Sequence, residues 1–183
     1  MDLKIVLFDK DDFKFTRVAK KHYKLTFTIE NNNIIISKII DFNLIKLIYD
    51  LNPDVYEKVE IEKINDNEVI ATLLIKHFFE DLGLPQRFSF VRITKLDEDS
   101  KITFTSQSIK EKRPPDMPTD SELIAIQDFT CVCDIITPHS INFSVNIIFD
   151  QQMTIPPFAE KVVGMILHKI FKRVKQFIEN VRI

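Results

Sequence analysis

His77 is followed by Phe78, Phe79, Glu80 and Asp81, which sets an imidazole beside two carboxylates. Those are the residue types that a general base and its orienting partner require. The simpler reading is a strand-end histidine at a rim, and nothing else in the sequence completes a catalytic set around it. Cys131 and Cys133 stand two apart in a strand-like stretch, sharing a face with Phe129 and Ile135. As metal ligands they would need two more soft or imidazole donors. His22, His77, His139 and His168 are scattered without the spacing of a zinc site, so buried, inert thiols are the better reading. No serine lies in a nucleophile-elbow context, and no HExxH, paired-carboxylate or Walker pattern occurs. The sequence nominates no catalytic residue, no metal and no cofactor.

Composition narrows the field further. The 183 residues are 45% hydrophobic and 28% charged, the balance of one ordinary globular domain. A net charge of −2 is no electrostatic match for a polyphosphate, which argues against a nucleic-acid partner. With 2 glycines, Gly83 and Gly164, glycine-rich phosphate loops and dinucleotide fingerprints are excluded. Two cysteines cannot build a disulfide framework, and the opening MDLKIVLF meets the Asp9–Asp12 charge cluster too soon for a signal peptide. No apolar run reaches the roughly 18 residues that span a bilayer. The expectation is a reduced, cytoplasmic compartment.

The distinctive compositional feature is 16 phenylalanines with no tryptophan. Phe88, Phe90, Phe104, Phe129, Phe143 and Phe149 fall on strand-like stretches at what the pattern predicts to be inward parity. Each can bury roughly 150–250 Å². From Phe158 to Ile183 there are six Lys and Arg against two Glu, a net of +4, while the rest of the chain carries −6. A basic amphipathic helix can lie on a membrane surface, though a packed helix with a solvated basic back is the more ordinary arrangement. In KRPPDMP (112–118) a basic residue precedes PxxP spacing, a pattern that polyproline-binding partners read.

The elements that must position these residues are mostly strands. His22 to Glu30 alternates cleanly, with Tyr23, Leu25, Phe27 and Ile29 on one face. The Asn31–Asn33 run predicts a turn and residues 34–40 a second strand, together a hairpin. Residues 41–52 read as a helix capped by Asp41 and stopped by Pro53. Strands follow over 57–64, 69–79, 87–94 and 101–109, the second mostly apolar and hence central. Residues 110–121 carry three prolines and predict a mobile loop. Residues 123–136 and 140–149 form a last hairpin whose second strand places Ile141, Phe143, Val145, Ile147 and Phe149 on one face. Pro156-Pro157 suits the first turn of a long terminal helix. On it Val163, Ile166, Leu167, Ile170, Val174, Phe177, Ile178 and Val181 share a face, with Lys161, Met165, His168, Lys172, Lys175 and Glu179 opposite. A helix of this kind must lie on the sheet.

Two stretches resemble the START and Bet v 1-like superfamily of helix-grip proteins, which includes polyketide-cyclase-like members. They are IIISKIIDFNLIKLIYDLNPDVYEKVEIEKI (34–64) and NFSVNIIFDQQMTIPPFAEKVVGMILHKIFKRVKQFIENVR (142–182). The chain departs from that pattern in showing one helix where the family has two, and in lacking a tryptophan near Tyr56. The resemblance implies an α+β fold, a curved antiparallel sheet of seven to eight strands gripped by the C-terminal helix. It implies a single domain over 1–183, with residues 1–30 an extension carrying one strand and 31–183 the core. It also implies a cavity between sheet and helix, for which the residues named are Phe88, Phe90, Phe104, Phe129, Phe143, Val145, Val163, Leu167 and Ile170. The function expected is non-enzymatic binding or transport of a hydrophobic ligand such as a lipid, with membrane or protein contact through Lys161, Lys172 and Lys175. The competing expectations are an interaction module whose core is filled by its own side chains, and a cyclase- or hydrolase-like enzyme using His77.

Overall fold

A computed structural model of the protein describes residues 4–183. The clean alternation of His22–Glu30 becomes strand β3, with Tyr23, Leu25, Phe27 and Ile29 all buried. It pairs antiparallel with β10 (Ser140–Phe149), matching Ile29 to Ile141, Phe27 to Phe143 and Leu25 to Val145. The Phe27 and Phe143 rings stack at 4.8 Å across that register. Around this pair the sheet runs β1-β2-β3-β10-β9-β7-β6-β5-β4. The other strands are β1 (Ile5–Lys10), β2 (Phe13–Ala19), β4 (Tyr56–Asn65), β5 (Glu68–Ile75), β6 (Arg87–Glu98), β7 (Lys101–Ser108), β8 (Glu122–Leu123) and β9 (Ile126–Thr137). The short β8 pairs parallel with β6; the remaining neighbours are antiparallel. The α+β architecture is as expected, with ten strands among the described residues instead of seven or eight.

Besides the short β8, the added strands come from residues 4–30. Expected to be an extension with one strand, they supply three, and β3 lies inside the sheet between β2 and β10. Both edges of β3 are therefore occupied, which leaves residues 34–40 no ladder to join. In place of the expected strand and hairpin they form a 3-10 turn, Ile36–Ile39, tied to the β9–β10 corner by Ile36 N–H donating to the Pro138 carbonyl at 2.9 Å. Ile34, Ile36 and Ile40 still bury their side chains in the core.

Helix α1 spans Asn43–Asp50, and Asp41 Oδ1 accepts the Asn43 N–H at 2.8 Å just ahead of it. Helix α2, Pro157–Asn180, lies across the sheet with Ala159, Gly164, Ile170, Val174 and Ile178 buried. Gly164 permits a close approach: a Cβ there would stand 3.1 Å from Phe15 Cδ1. The apolar face is rotated from the expected one. Phe171 packs on Phe27 with centroids 5.3 Å apart, while Phe177 is 48% exposed.

The expected solvated back of α2 is also corrected. Strands β1–β3 curl along that flank and engage its side chains. His168 sits edge-on to Phe8 and Phe13, at 5.3 and 5.2 Å. Its Nε2 lies 3.3 Å from Asp11 Oδ2, and burial lowers the ring's pKa. Lys172 Nζ donates to Asp11 at 2.7 Å, and Lys175 Nζ donates to the Thr28 carbonyl at 2.5 Å and to Glu179 at 2.8 Å. Lys161 remains exposed. No helix among the described residues is long and apolar enough to cross a membrane.

Candidate functional site

The inner face of the sheet is set by the register of β5 and β6. Val91 stands opposite Ala71 and Ile93 opposite Val69, so the odd-numbered residues of β6 point toward the helices. Phe88 and Phe90 therefore point the other way, a correction to their expected inward parity. With Leu74 and Met117 they form a separate cluster on the outer face, beneath residues 110–121. The loop is pinned there. Met117 is buried, the Arg113 guanidinium stands 4.9 Å from the Phe88 ring, and Arg113 Nη2 donates to the Ser121 carbonyl at 3.0 Å. A loop held in this way has its PxxP stretch turned onto the protein's own surface.

Of the other residues named from the sequence, Phe104, Phe129, Phe143 and Val145 lie on the inner face and Leu167 reaches it from α2, while Ile170 is buried on α2 outside that cluster. Phe104 meets Phe42 edge-on at 5.9 Å beside α1. These residues do not form one open wall. Phe143, Val145 and Ile170 each retain 3% of their surface, so packed side chains fill the space against them. Phe129, Val163 and Leu167, nearer the start of α2, are only partly buried. The grip is thus solid toward the C-terminal half of α2 and looser toward its beginning.

At that looser end the segment linking β10 to α2 (150–156) crosses between two clefts. The larger, about 610 Å³, is lined by Ile5, Arg17, Tyr23, Ile155, Pro157 and Glu160 among others. The smaller, about 320 Å³, is bounded by Arg87, Lys110, Glu122 and Asp150, and Met153 and Thr154 face both. None of the nine residues named from the sequence lines either cleft. What marks the larger one is a charged cluster that joins residues far apart in the chain. Arg17 Nη1 donates to both carboxylate oxygens of Glu160 at 3.0 Å, and the Tyr23 hydroxyl donates to Oε1 at 2.6 Å. Burial, with the Glu160 carboxylate beside it, pushes the Tyr23 phenol well above its usual range. Glu160 stands in the first turn of α2, where the helix dipole favours a carboxylate.

The groups singled out for chemistry are occupied structurally. His77 Nε2 donates to the Leu84 carbonyl at 2.5 Å, bracing the loop after β5. The Cys131 and Cys133 sulfurs stand 3.9 Å apart on the inner face. Their hydrogen bond and the burial of Cys133 push the Cys133 thiol up, away from the reactive thiolate. Beside the braced loop Phe79 meets Phe158 at 6.2 Å, and Phe78, Leu82, Phe158 and Met165 expose an apolar rim.

An open antiparallel sheet that closes its first strands against its last, with a long C-terminal helix across it, is the helix-grip fold of START and Bet v 1-like proteins. By sequence, no family model and no curated protein matches the chain. Among solved structures it is similar to the human StarD13 lipid transfer and protein localization domain, with a TM-score of 0.71 and 12% identity over 99% of this chain and 91% of that one. Human STARD10 gives a TM-score of 0.68 at 11% identity, over 94% of this chain and 71% of that one. A STAR-related lipid transfer protein from Xanthomonas axonopodis gives 0.63 at 14%, over 95% and 96%. Identities this low speak for the fold.

Proposed function

We propose that the protein binds and carries a hydrophobic ligand, a lipid in the first instance, without catalysing a reaction on it. The observation that carries this reading is the half-open cleft of about 610 Å³ at the loose end of the grip. Its size falls within the roughly 300–1,000 Å³ of small-molecule sites. Its walls include Tyr23 and Ile155, which pack on the inner-face core that also holds Phe129 and Leu167, and this supports a path for an apolar chain toward them. The similarity to the lipid-transfer structures described above supports the same reading. Burial of an apolar chain provides about 25 cal/mol per Å². The apolar rim of Phe78, Leu82, Phe158 and Met165 offers a place to touch a membrane, with exposed Lys161 beside it on α2. Lys172 and Lys175, expected in that role, are engaged with Asp11, Thr28 and Glu179.

The second reading, an interaction module with a self-filled core, is favoured by the close packing around Phe143, Val145 and Ile170. Native mass spectrometry of the purified chain separates the two. A co-purified lipid, or uptake of a lipid from mixed vesicles at one per chain, is the expected result. A ligand-free protein that takes up nothing from vesicles would put the interaction reading ahead.

A further inference from the structure

The lining of the larger cleft is mixed: Ile5, Met153, Ile155 and Pro157 are apolar, Arg17, Lys20 and Lys21 are cations, and Ile5 stands directly across the β1–β2 pair from Arg17. The carboxylate in the cleft, Glu160, is already engaged by Arg17 and by the Tyr23 hydroxyl. Lys21 is different. Its ammonium donates to the Gln151 carbonyl, a neutral acceptor on the linking segment, and its charge also acts on the neighbouring Asp150 carboxylate, whose pKa it helps to lower. Asp150, on the same segment, is held by Lys110 at 2.5 Å. Lys21 also occupies the tight β2–β3 turn with φ +62°, a left-handed position where Gly or Asn is the ordinary choice. A lysine there is a local cost that a role for the charge would explain.

We propose that this cleft takes the head of a singly anionic amphiphile, with the head group at Lys21 and Arg17 and the acyl chain along Ile155 toward the inner face. The inference rests on the hydrophobic-ligand reading above and adds the chemical class of the head. A carboxylate or a phosphate diester carries the required single charge and acceptor oxygens. Replacing the Gln151 carbonyl as partner of Lys21 would exchange a charge–dipole contact for an ion pair.

The test uses the full chain and two fluorescent probes, a dansyl-tagged undecanoate and its methyl ester, titrated against wild type, Lys21→Gln and Lys21→Glu. Wild type is expected to bind the acid roughly five- to tenfold more tightly than the ester. Lys21→Gln should lose that preference and Lys21→Glu should reverse it, with ester affinity unchanged in both, which also shows that the fold survives. A preference that persists in both variants, or is missing from wild type, overturns the head-group assignment while leaving the hydrophobic-ligand reading intact. Displacement of the acid probe by millimolar acetate or inorganic phosphate overturns it too, since the cleft would then be reading a free anion. If neither probe binds wild type, the hydrophobic-ligand reading fails together with this one.

Discussion

Asn31 Nδ2 donates to the Ile178 carbonyl at 2.6 Å and to the Val181 carbonyl at 3.0 Å, so a buried turn residue closes the C-terminal end of α2. Its Oδ1 accepts the Asn33 N–H at 2.8 Å, which shapes the turn out of β3. One amide side chain therefore ties the first sheet segment to the last helix by satisfying carbonyls that a helix end leaves unpaired.

Asn31→Ala should cost about 1–3 kcal/mol in denaturant titration, the penalty of leaving such groups buried and unmet. Asn31→Asp, almost the same shape, should do at least as much damage. It cannot donate, and it places negative charge at the negative end of the helix. A neutral result for Asp would mean that the amide's donors are not what holds the end of α2.

The loop after α1 is fixed to α2 by charge. Arg173 Nη1 and Nη2 reach Asp54 at 2.5 and 3.3 Å, Lys169 also donates to it, and Arg173 Nη1 meets Asn52 Oδ1 at 3.0 Å. Arg173, with Lys169 adding to it, holds the Asp54 carboxyl well below the usual carboxylate range. Because folding depresses this pKa, the contribution is complete above the unfolded value of about 3.9 and is lost as pH falls toward the folded one. Asp54 is 43% exposed, so solvent screening limits the pair to about 1 kcal/mol. Wild type should lose more stability than Asp54→Asn between about pH 5 and pH 2. Parallel acid-denaturation curves would show that the clamp contributes nothing.

How much of this was legible in the sequence depended on whether a residue's neighbours are local. The alternation of β3 and of β10 is a property of one strand with one buried face, and Tyr23, Phe27, Phe143 and Val145 all fall where the pattern puts them. Phe88-Ser89-Phe90-Val91 is buried at both parities, because residues 110–121 cover the outer face. Alternation carries no information there. Residues 34–40 are rich in strand formers, yet β3 already pairs on both sides with segments that lie elsewhere in the chain. The candidate cleft was least legible. Arg17 and Glu160 are 143 residues apart, and each alone reads as an ordinary surface charge. Tyr23 was placed inward by its strand, but its hydroxyl partner came only with the packing of α2.

The observed face of α2 can be tested with a pair of truncations. Ile170→Ala should cost roughly 2–5 kcal/mol, since the side chain is almost wholly enclosed. Phe177→Ala, on a residue 48% exposed, should stay within about 0.5 kcal/mol despite removing more atoms. A cost for Phe177→Ala as large as that for Ile170→Ala in urea titrations would restore the helix face drawn from the sequence pattern, which held both residues.

The last prediction asks whether a ligand lies under the first half of α2. Val163 is partly buried near the loose end of the grip, so a larger side chain there has space to enter without displacing the packed region around Ile170. Val163→Trp should lower binding of an apolar dye or a vesicle-derived lipid by about tenfold, equivalent to about 1.4 kcal/mol. Its unfolding free energy should move by less than the roughly 1–3 kcal/mol of overpacking in a filled core. Ile170→Trp gives the contrast, because its surroundings are closed and it should lose stability first. If Val163→Trp unfolds as readily as Ile170→Trp, the start of the helix is packed as tightly as its end, and no ligand space exists between them. If Val163→Trp is stable and still binds lipid as wild type does, the ligand lies elsewhere, and the cleft beside Arg17 and Tyr23 would have to hold the whole molecule.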